Sequence, residues 1–320
     1  MSEATASPIV VEASSDSIPA SEAAVYAQDL SKVYKDFWGR DKVRALDGLN
    51  LTIRRGEVFG LLGPNGSGKS TTIKLLLGLI FPTGGRAQIM GQACGSTEVN
   101  KRIGFLPEES YLYRFLNGEE TLYFYGRLFK IPHRDLKKRV PLLLDTVGLD
   151  EKARKRKLRE YSKGMARRIG LAQALINDPD LVLLDEPTTG LDPIGTREMK
   201  DLIISLKNQG KTVILCSHLL ADVQDVCERV TILFRGRQQD LSGQGNRQYV
   251  GNIRDILQVR DVTQVEAQGL SPQQVQELRE FIKRYGAGAA MTHPTTTLED
   301  LFIKIVRDQS GGGTYTSSDA

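Results

Sequence analysis

The run Gly63-Pro64-Asn65-Gly66-Ser67-Gly68-Lys69-Ser70 fits the spacing G-x-x-x-x-G-K-[ST] and constrains the fold more than any other part of the chain. It directly follows an apolar stretch at 57–62 and precedes a run with helical spacing, so a strand, a tight loop and a helix are expected in that order. Small residues let such a loop curl around a polyphosphate with its N–H groups aimed at the oxygens, and the helix dipole adds a positive end. Lys69 supplies a point charge for the β and γ phosphates, the Ser70 hydroxyl suits magnesium, and Thr71 stands where it reaches the α-phosphate. An ordinary Gly-rich turn containing a lysine would lack that flanking strand and helix.

Further strands are expected at 103–106, 181–184, 212–216 and 230–234, mostly continuous apolar runs suited to burial on both faces. Short strands alternating with helical patterns imply a largely parallel, α/β sheet covered by helices. The run at 181–184 ends in Asp185-Glu186-Pro187. Asp185 can hold magnesium through water, and Glu186 can polarise a water for attack on a γ-phosphate. His218, one of 3 histidines, follows the strand at 212–216, where it can contact the γ-phosphate and sense its loss.

The 320 residues suggest about two domains. Residues 1–24 and 310–320 read as polar tails, 25–236 as the main domain, and 237–309 as a small C-terminal α+β appendage. Within the main domain, 116–161 shows helical spacing through Leu122, Phe124, Tyr125, Leu128, Val140, Leu143, Leu144 and Val147, a helical insertion. In the appendage a strand is expected at 256–259, a helix capped at Ser271 and a second starting at Thr297. The charge balance, 43 − 39 = +4, is too small to imply nucleic-acid binding. The longest nearly apolar stretch, 73–81, is interrupted by Lys74 and Gly78, so no membrane span is expected. The first 25 residues lack the basic start and apolar centre of a secretory signal, which gives a cytoplasmic expectation. Cys94, Cys216 and Cys227 read as buried thiols, and the basic stretch from Lys152 to Arg159 as a solvated helix face.

Tyr161-Ser162-Lys163-Gly164-Met165, about twenty residues before the acidic strand, resembles the signature motif of the ATP-binding cassette ATPases. The resemblance extends over most of 25–236 and includes Asp192 in TTGLDP, similar to the family's loop at the dimer contact, and His218 in LCSHLL, similar to its switch histidine. It implies a P-loop NTPase cassette with a mixed sheet, which binds ATP and Mg2+ and hydrolyses ATP with Glu186 and His218 as catalytic residues. It also implies a second ATPase subunit, identical or related, because in this family two cassettes stack head to tail. Ser162, Lys163, Gly164 and Met165 would then face the partner's ATP.

Lys163 and Met165 replace the second glycine and the glutamine of the usual LSGGQ, and Glu108 stands where the family carries a glutamine near magnesium. Both variants resemble those of exporter-type subunits whose membrane domain is a separate polypeptide. A separate transmembrane permease and a position on the inner face of the membrane follow from that. The metal set implied is Ser70, Glu108 and Asp185. Tyr34 is the adenine-stacking aromatic by resemblance, with Phe37 and Trp38 as competitors. The aromatics Tyr111, Tyr113, Phe115, Tyr123, Phe124 and Tyr125 are expected mostly in the core, with some forming a contact patch for the permease. The rival readings are a soluble cassette ATPase that works mechanically on nucleic acid or ribosomes, and a module that binds ATP without hydrolysing it. The chain lacks the second cassette, coiled-coil insertion and cysteine modules of the first, and retains Glu186 and His218 against the second.

Overall fold

The computed structural model describes residues 22–241 and 250–253. A long antiparallel pair, β1 (Val25–Lys35) and β2 (Asp41–Ile53), precedes β3 (Val58–Leu62) and helix α1 (Lys69–Leu76). After β4 (Gly84–Ile89), β5 (Gln92–Ala93) and the short α2 (Thr97–Asn100) comes β6 (Ile103–Leu106). The insertion holds α3 (Gly118–Leu128), α4 (His133–Thr146) and α5 (Glu151–Lys155). The chain then runs through α6 (Lys163–Ala174), β7 (Leu181–Asp185), α7 (Pro193–Asn208), β8 (Thr212–Ser217), α8 (Leu220–Val226) and β9 (Arg229–Phe234). Two short strands, β10 (Arg237–Gln238) and β11 (Gly251–Asn252), close the described part.

The strand order β10-β9-β3-β8-β7-β6 makes the central sheet, parallel from β9 to β6. All five strands expected in the main domain are present, with ends shifted by at most one residue. Their side chains alternate between two cores. Phe59, Leu61, Leu181, Leu183, Ile214 and Cys216 pack toward α1 and the first two strands. Val58, Leu62, Val182, Leu184, Val213 and Leu215 pack toward the helices on the other face. Burial on both faces is what allows these strands to be apolar throughout. Because β3, β8 and β7 are adjacent and parallel, the loops after all three leave the same edge, at the carboxyl ends of the strands where α/β sheets bind ligands.

A second, antiparallel sheet, ordered β2-β1-β4-β5, covers one side. Its strands escape sequence reading because they mix apolar and charged residues and slip register several times along β1. At their tip Asp36 accepts from the Trp38 and Arg40 N–H groups at 2.9 Å each, closing a hairpin whose register sets Tyr34 opposite Val43.

The helical insertion forms as expected. Asn117 and Glu120 cap α3 reciprocally, each side chain accepting from the other's N–H at 2.8 Å. Leu122, Val140, Leu144 and Val147 are buried, joined by Leu136 and Ile169. The aromatics depart from the core expectation: Tyr111 (87%), Tyr113 (47%) and Phe115 (68%) are exposed, and Tyr123, Phe124 and Tyr125 are only partly buried. The first three stand in a loop before α3, where helical spacing has no meaning, and aliphatic side chains already fill the helix contacts. Leu128 at the end of α3 is also exposed. Gly126 lets α3 approach α4, since a Cβ there would lie 2.3 Å from Leu136.

Past Gly236 the chain stays on the same sheet. β10 and β11 both pair with β9, and Gln239, Leu241 and Ile253 are buried. The strand at 256–259, the helices capped at Ser271 and Thr297, and residues 1–21 and 310–320 lie outside the described residues.

Candidate nucleotide-binding site

The loop between β3 and α1 is held from outside by close backbone contacts. Gly68, the N-cap of α1, has φ 111°, and a Cβ there would stand 2.7 Å from the Ala45 carbonyl oxygen. Only glycine fits both conditions. Gly236 donates to the Ser67 carbonyl at 3.0 Å, so the turn after β9 supports the loop from the other side.

Inside the loop, Lys69 is 5% exposed; its Nζ donates to the Gly63 carbonyl at 2.6 Å and lies 3.5 Å from Glu186 Oε1. Ser70 Oγ donates to Asp185 Oδ2 at 3.1 Å. Glu186 is buried; its Oε2 lies 2.8 Å from His218 Nδ1 and accepts from Thr189 Oγ1 at 3.3 Å. Thus β3, β7 and β8 bring together Lys69, Ser70, Asp185, Glu186 and His218, residues separated by up to 149 positions (218 − 69) in sequence. Burial pushes the Asp185 carboxyl above its ordinary value; the Ser70 hydrogen bond and Lys69 oppose this, while Glu186 and Glu108 add to it.

Three buried polar atoms at this edge have no hydrogen-bond partner: Ser67 Oγ, Asp185 Oδ1 and Glu186 Oε1. An unsatisfied buried polar atom costs about 1–3 kcal/mol, so three in one place mark where ligand oxygens, water or a cation complete the structure. The residue set fits a nucleotide with its metal. Loop N–H groups and Lys69 are phosphate donors, and the oxygens of Ser70 and Asp185 suit a hard cation that keeps several waters. Among the described residues no three His, Cys, Asp or Glu side chains cluster as a metal site by themselves.

The signature segment lies apart from this cluster. Ser162 caps α6, its Oγ accepting from the Met165 N–H at 3.2 Å, and Ser162 and Lys163 are exposed. Met165 Sδ accepts from Arg156 Nη2 at 3.3 Å. Asp192 caps α7, accepting from the Gly195 N–H at 2.7 Å. No hydrogen bond or ion pair among the described residues joins these residues to the phosphate loop. Tyr34 is 37% exposed, with Lys32 Nζ 5.4 Å from its ring centroid; Phe37 and Trp38 are far more exposed at the hairpin tip. The 107–112 loop, which carries Glu108, is bordered by two clefts of about 360 and 330 Å³.

Sequence reading missed several supporting residues. Thr188 donates to Asp222, which pairs with Lys200 at 2.7 Å, tying the turn after β7 to α7 and α8. Thr188 and Thr189 belong to the TTGLDP stretch, a signal available but used only for Asp192. Arg167 in α6 donates to the carbonyls of Pro107 and Glu186; within the pair Arg167-Arg168 it reads as surface charge. The basic stretch is partly paired rather than freely solvated: Arg154 meets Asp145, and Lys157 meets Glu120 at 3.1 Å.

The sequence profile of the family described as ABC transporter matches residues 46–189. An ABC transporter ATP-binding protein of Synechocystis sp. is 40% identical over 302 residues, covering 88% of this chain and 84% of that protein. The Nod factor export ATP-binding protein I of Rhizobium sp. is 35% identical over 301 residues, covering 87% and 96%. Among solved structures, a dimeric ATP-binding cassette in a post-hydrolysis state with ADP and Pi is 28% identical, with a TM-score of 0.61, covering 67% of this chain and 97% of that one. Both the loop geometry and relatives matched over most of their length lead to one conclusion: this chain belongs to the ABC transporter family, as an ATP-binding subunit.

Proposed function

We propose that the chain powers export through a separate membrane protein, using ATP–Mg2+ bound at the carboxyl edge of the central sheet. The observation that carries this reading is the group in which buried Lys69, Asp185 and Glu186 meet the exposed Ser70 and His218, with Asp185 and Glu186 each keeping an oxygen that has no hydrogen-bond partner. Gly63 to Thr71 would hold the phosphates, and Ser70 and Asp185, with Glu108, would hold magnesium, Asp185 by way of water. Magnesium supplies charge neutralisation on the phosphates when bound. Glu186 accepts a proton from the attacking water, and His218 orients that carboxylate through its Nδ1–H. Tyr34 stacks on adenine.

Two subunits sharing their sites would place Ser162 and Gly164 of each, with Asp192 nearby, against the other's nucleotide. A capped helix start with exposed Ser162 is suited to an outside anion. Export is supported by relatives named for it and by the variants at Lys163, Met165 and Glu108. No helix of the described residues is long and apolar enough to cross a membrane; the relatives' names and the variants at Lys163, Met165 and Glu108 support a pore supplied by a separate permease. The exposed Tyr111, which lines both clefts, together with the exposed Tyr113 and Phe115 of the same loop, suits that permease's helix, which would hold the subunit on the inner membrane face. Residues 25–236 remain the proposed core of the cassette, followed by an appendage.

The test is Glu186→Gln, whose amide cannot take the proton. Hydrolysis should fall about 10²- to 10⁴-fold while ATP affinity holds, and light scattering with ATP should detect a trapped dimer. Unchanged single-turnover hydrolysis would remove Glu186 as the base.

A further inference from the structure

Arg167 stands inside α6, five residues after the cap Ser162, and is 8% exposed. Its guanidinium forks between two loops: Nη1 donates to the Pro107 carbonyl at 2.6 Å and Nη2 to the Glu186 carbonyl at 2.9 Å. Burial lowers its pKa from the ordinary guanidinium value, and the surrounding Glu108, Asp185, Glu186 and Glu109 pull the other way. A buried cation is expensive unless hydrogen-bonded, and here both bonds go to main-chain oxygens. The fork therefore fixes where two loops run, and does not simply pair one carboxylate. Glu186 itself has φ 51°, a left-handed backbone that a non-glycine residue keeps only when its surroundings hold it, at about 1–3 kcal/mol. In this conformation one residue has two attachments: its carboxylate meets Lys69 and His218, and its carbonyl meets α6.

We propose that Arg167 is the positioning residue that locks the signature helix, the Glu186 turn and the Glu108 loop into one unit. A displacement of the helix at Ser162, or of the loop facing the permease, is thereby transmitted to the carboxylate that orients water. The inference rests on reading Glu186 as the base. Lysine is a poor substitute, because one ammonium on a flexible stem lacks the planar pair of donors that spans both carbonyls.

The test uses the full chain with Arg167→Lys and Arg167→Gln. ATP affinity by calorimetry should stay within about threefold, since the phosphate loop is untouched, and kcat for hydrolysis should fall at least about tenfold in both variants. In nucleotide-free protein, hydrogen exchange should quicken in peptides covering 107–112 and 186–189 together. Wild-type kcat in Arg167→Lys, unchanged exchange in either loop, or an equal loss of affinity and kcat would overturn the proposal. So would failure of both variants to fold, which would make Arg167 an ordinary structural residue. If Glu186→Gln hydrolyses ATP normally, the reading of the base fails instead, and the exchange measurement still decides whether Arg167 locks the two loops.

Discussion

The phosphate side and the signature side of this subunit are built on opposite plans. Around the phosphate loop, Lys69, Asp185 and Glu186 are each about 6% exposed or less, crowded with charge, and Asp185 and Glu186 each keep an oxygen without a hydrogen-bond partner. At the start of α6, Ser162 and Lys163 are exposed, and the Ser162 hydroxyl is satisfied by its own helix. One side keeps buried polar groups open to further hydrogen bonds; the other is a finished surface that can meet a ligand held elsewhere. A fold that separates the two roles in this way suits a site assembled from two chains.

Lys69→Ala should break the buried side most severely. The substitution removes a charged phosphate donor and leaves Asp185 and Glu186 without their nearest cation. ATP affinity should weaken at least about 100-fold by calorimetry, roughly 3 kcal/mol. A loss below about tenfold would mean that the loop N–H groups carry binding alone.

Ser162→Arg should show the opposite pattern: affinity in the isolated subunit within about twofold of wild type, and hydrolysis down at least about tenfold. Mixed with Lys69→Ala chains it should recover part of the activity, because each heterodimer then contains one intact site. Verified heterodimers with zero recovery would argue against shared sites or show that both are required.

Two truncations sharpen where the buried side ends. A cut after Ile253 should preserve ATP binding. A cut after Gly236 removes β10, β11 and the buried Gln239, Leu241 and Ile253, and it loosens the turn that supports Ser67. That second cut should lower Tm by more than about 5 °C, since even 2 kcal/mol moves a domain of this size by roughly that much. Equal melting of the two would show that these edge strands contribute little.

The smallest effect concerns how dry the core between α1 and the sheets is. Burial pushes the Cys94 thiol up to about 11, and Cys216, paired on the sheet with Asp185, well above the usual thiol range. At pH 8 about one Cys94 in a thousand is thiolate, so alkylation of the native protein should be slow, rise with pH, and reach Cys94 before Cys216. Rapid labelling of Cys216 in native protein would show that water enters between β7 and β8.

The sequence contained the strand, loop and helix around Lys69, the acidic end at Asp185 and Glu186, and the strand before His218, because each depends on neighbours within a few residues. Local spacing and backbone chemistry determine such features wherever the chain goes. The antiparallel sheet was not legible, since its strands are half polar and irregular in register, and neither were the exposed aromatics at 111–115. Only the tertiary structure decided that β8 runs between β3 and β7, which sets His218 2.8 Å from Glu186, and that Arg167 reaches across to the Glu186 carbonyl. Strand order and long side-chain reach depend on which surfaces bury each other. Packing of the whole chain fixes that, and no local period records it.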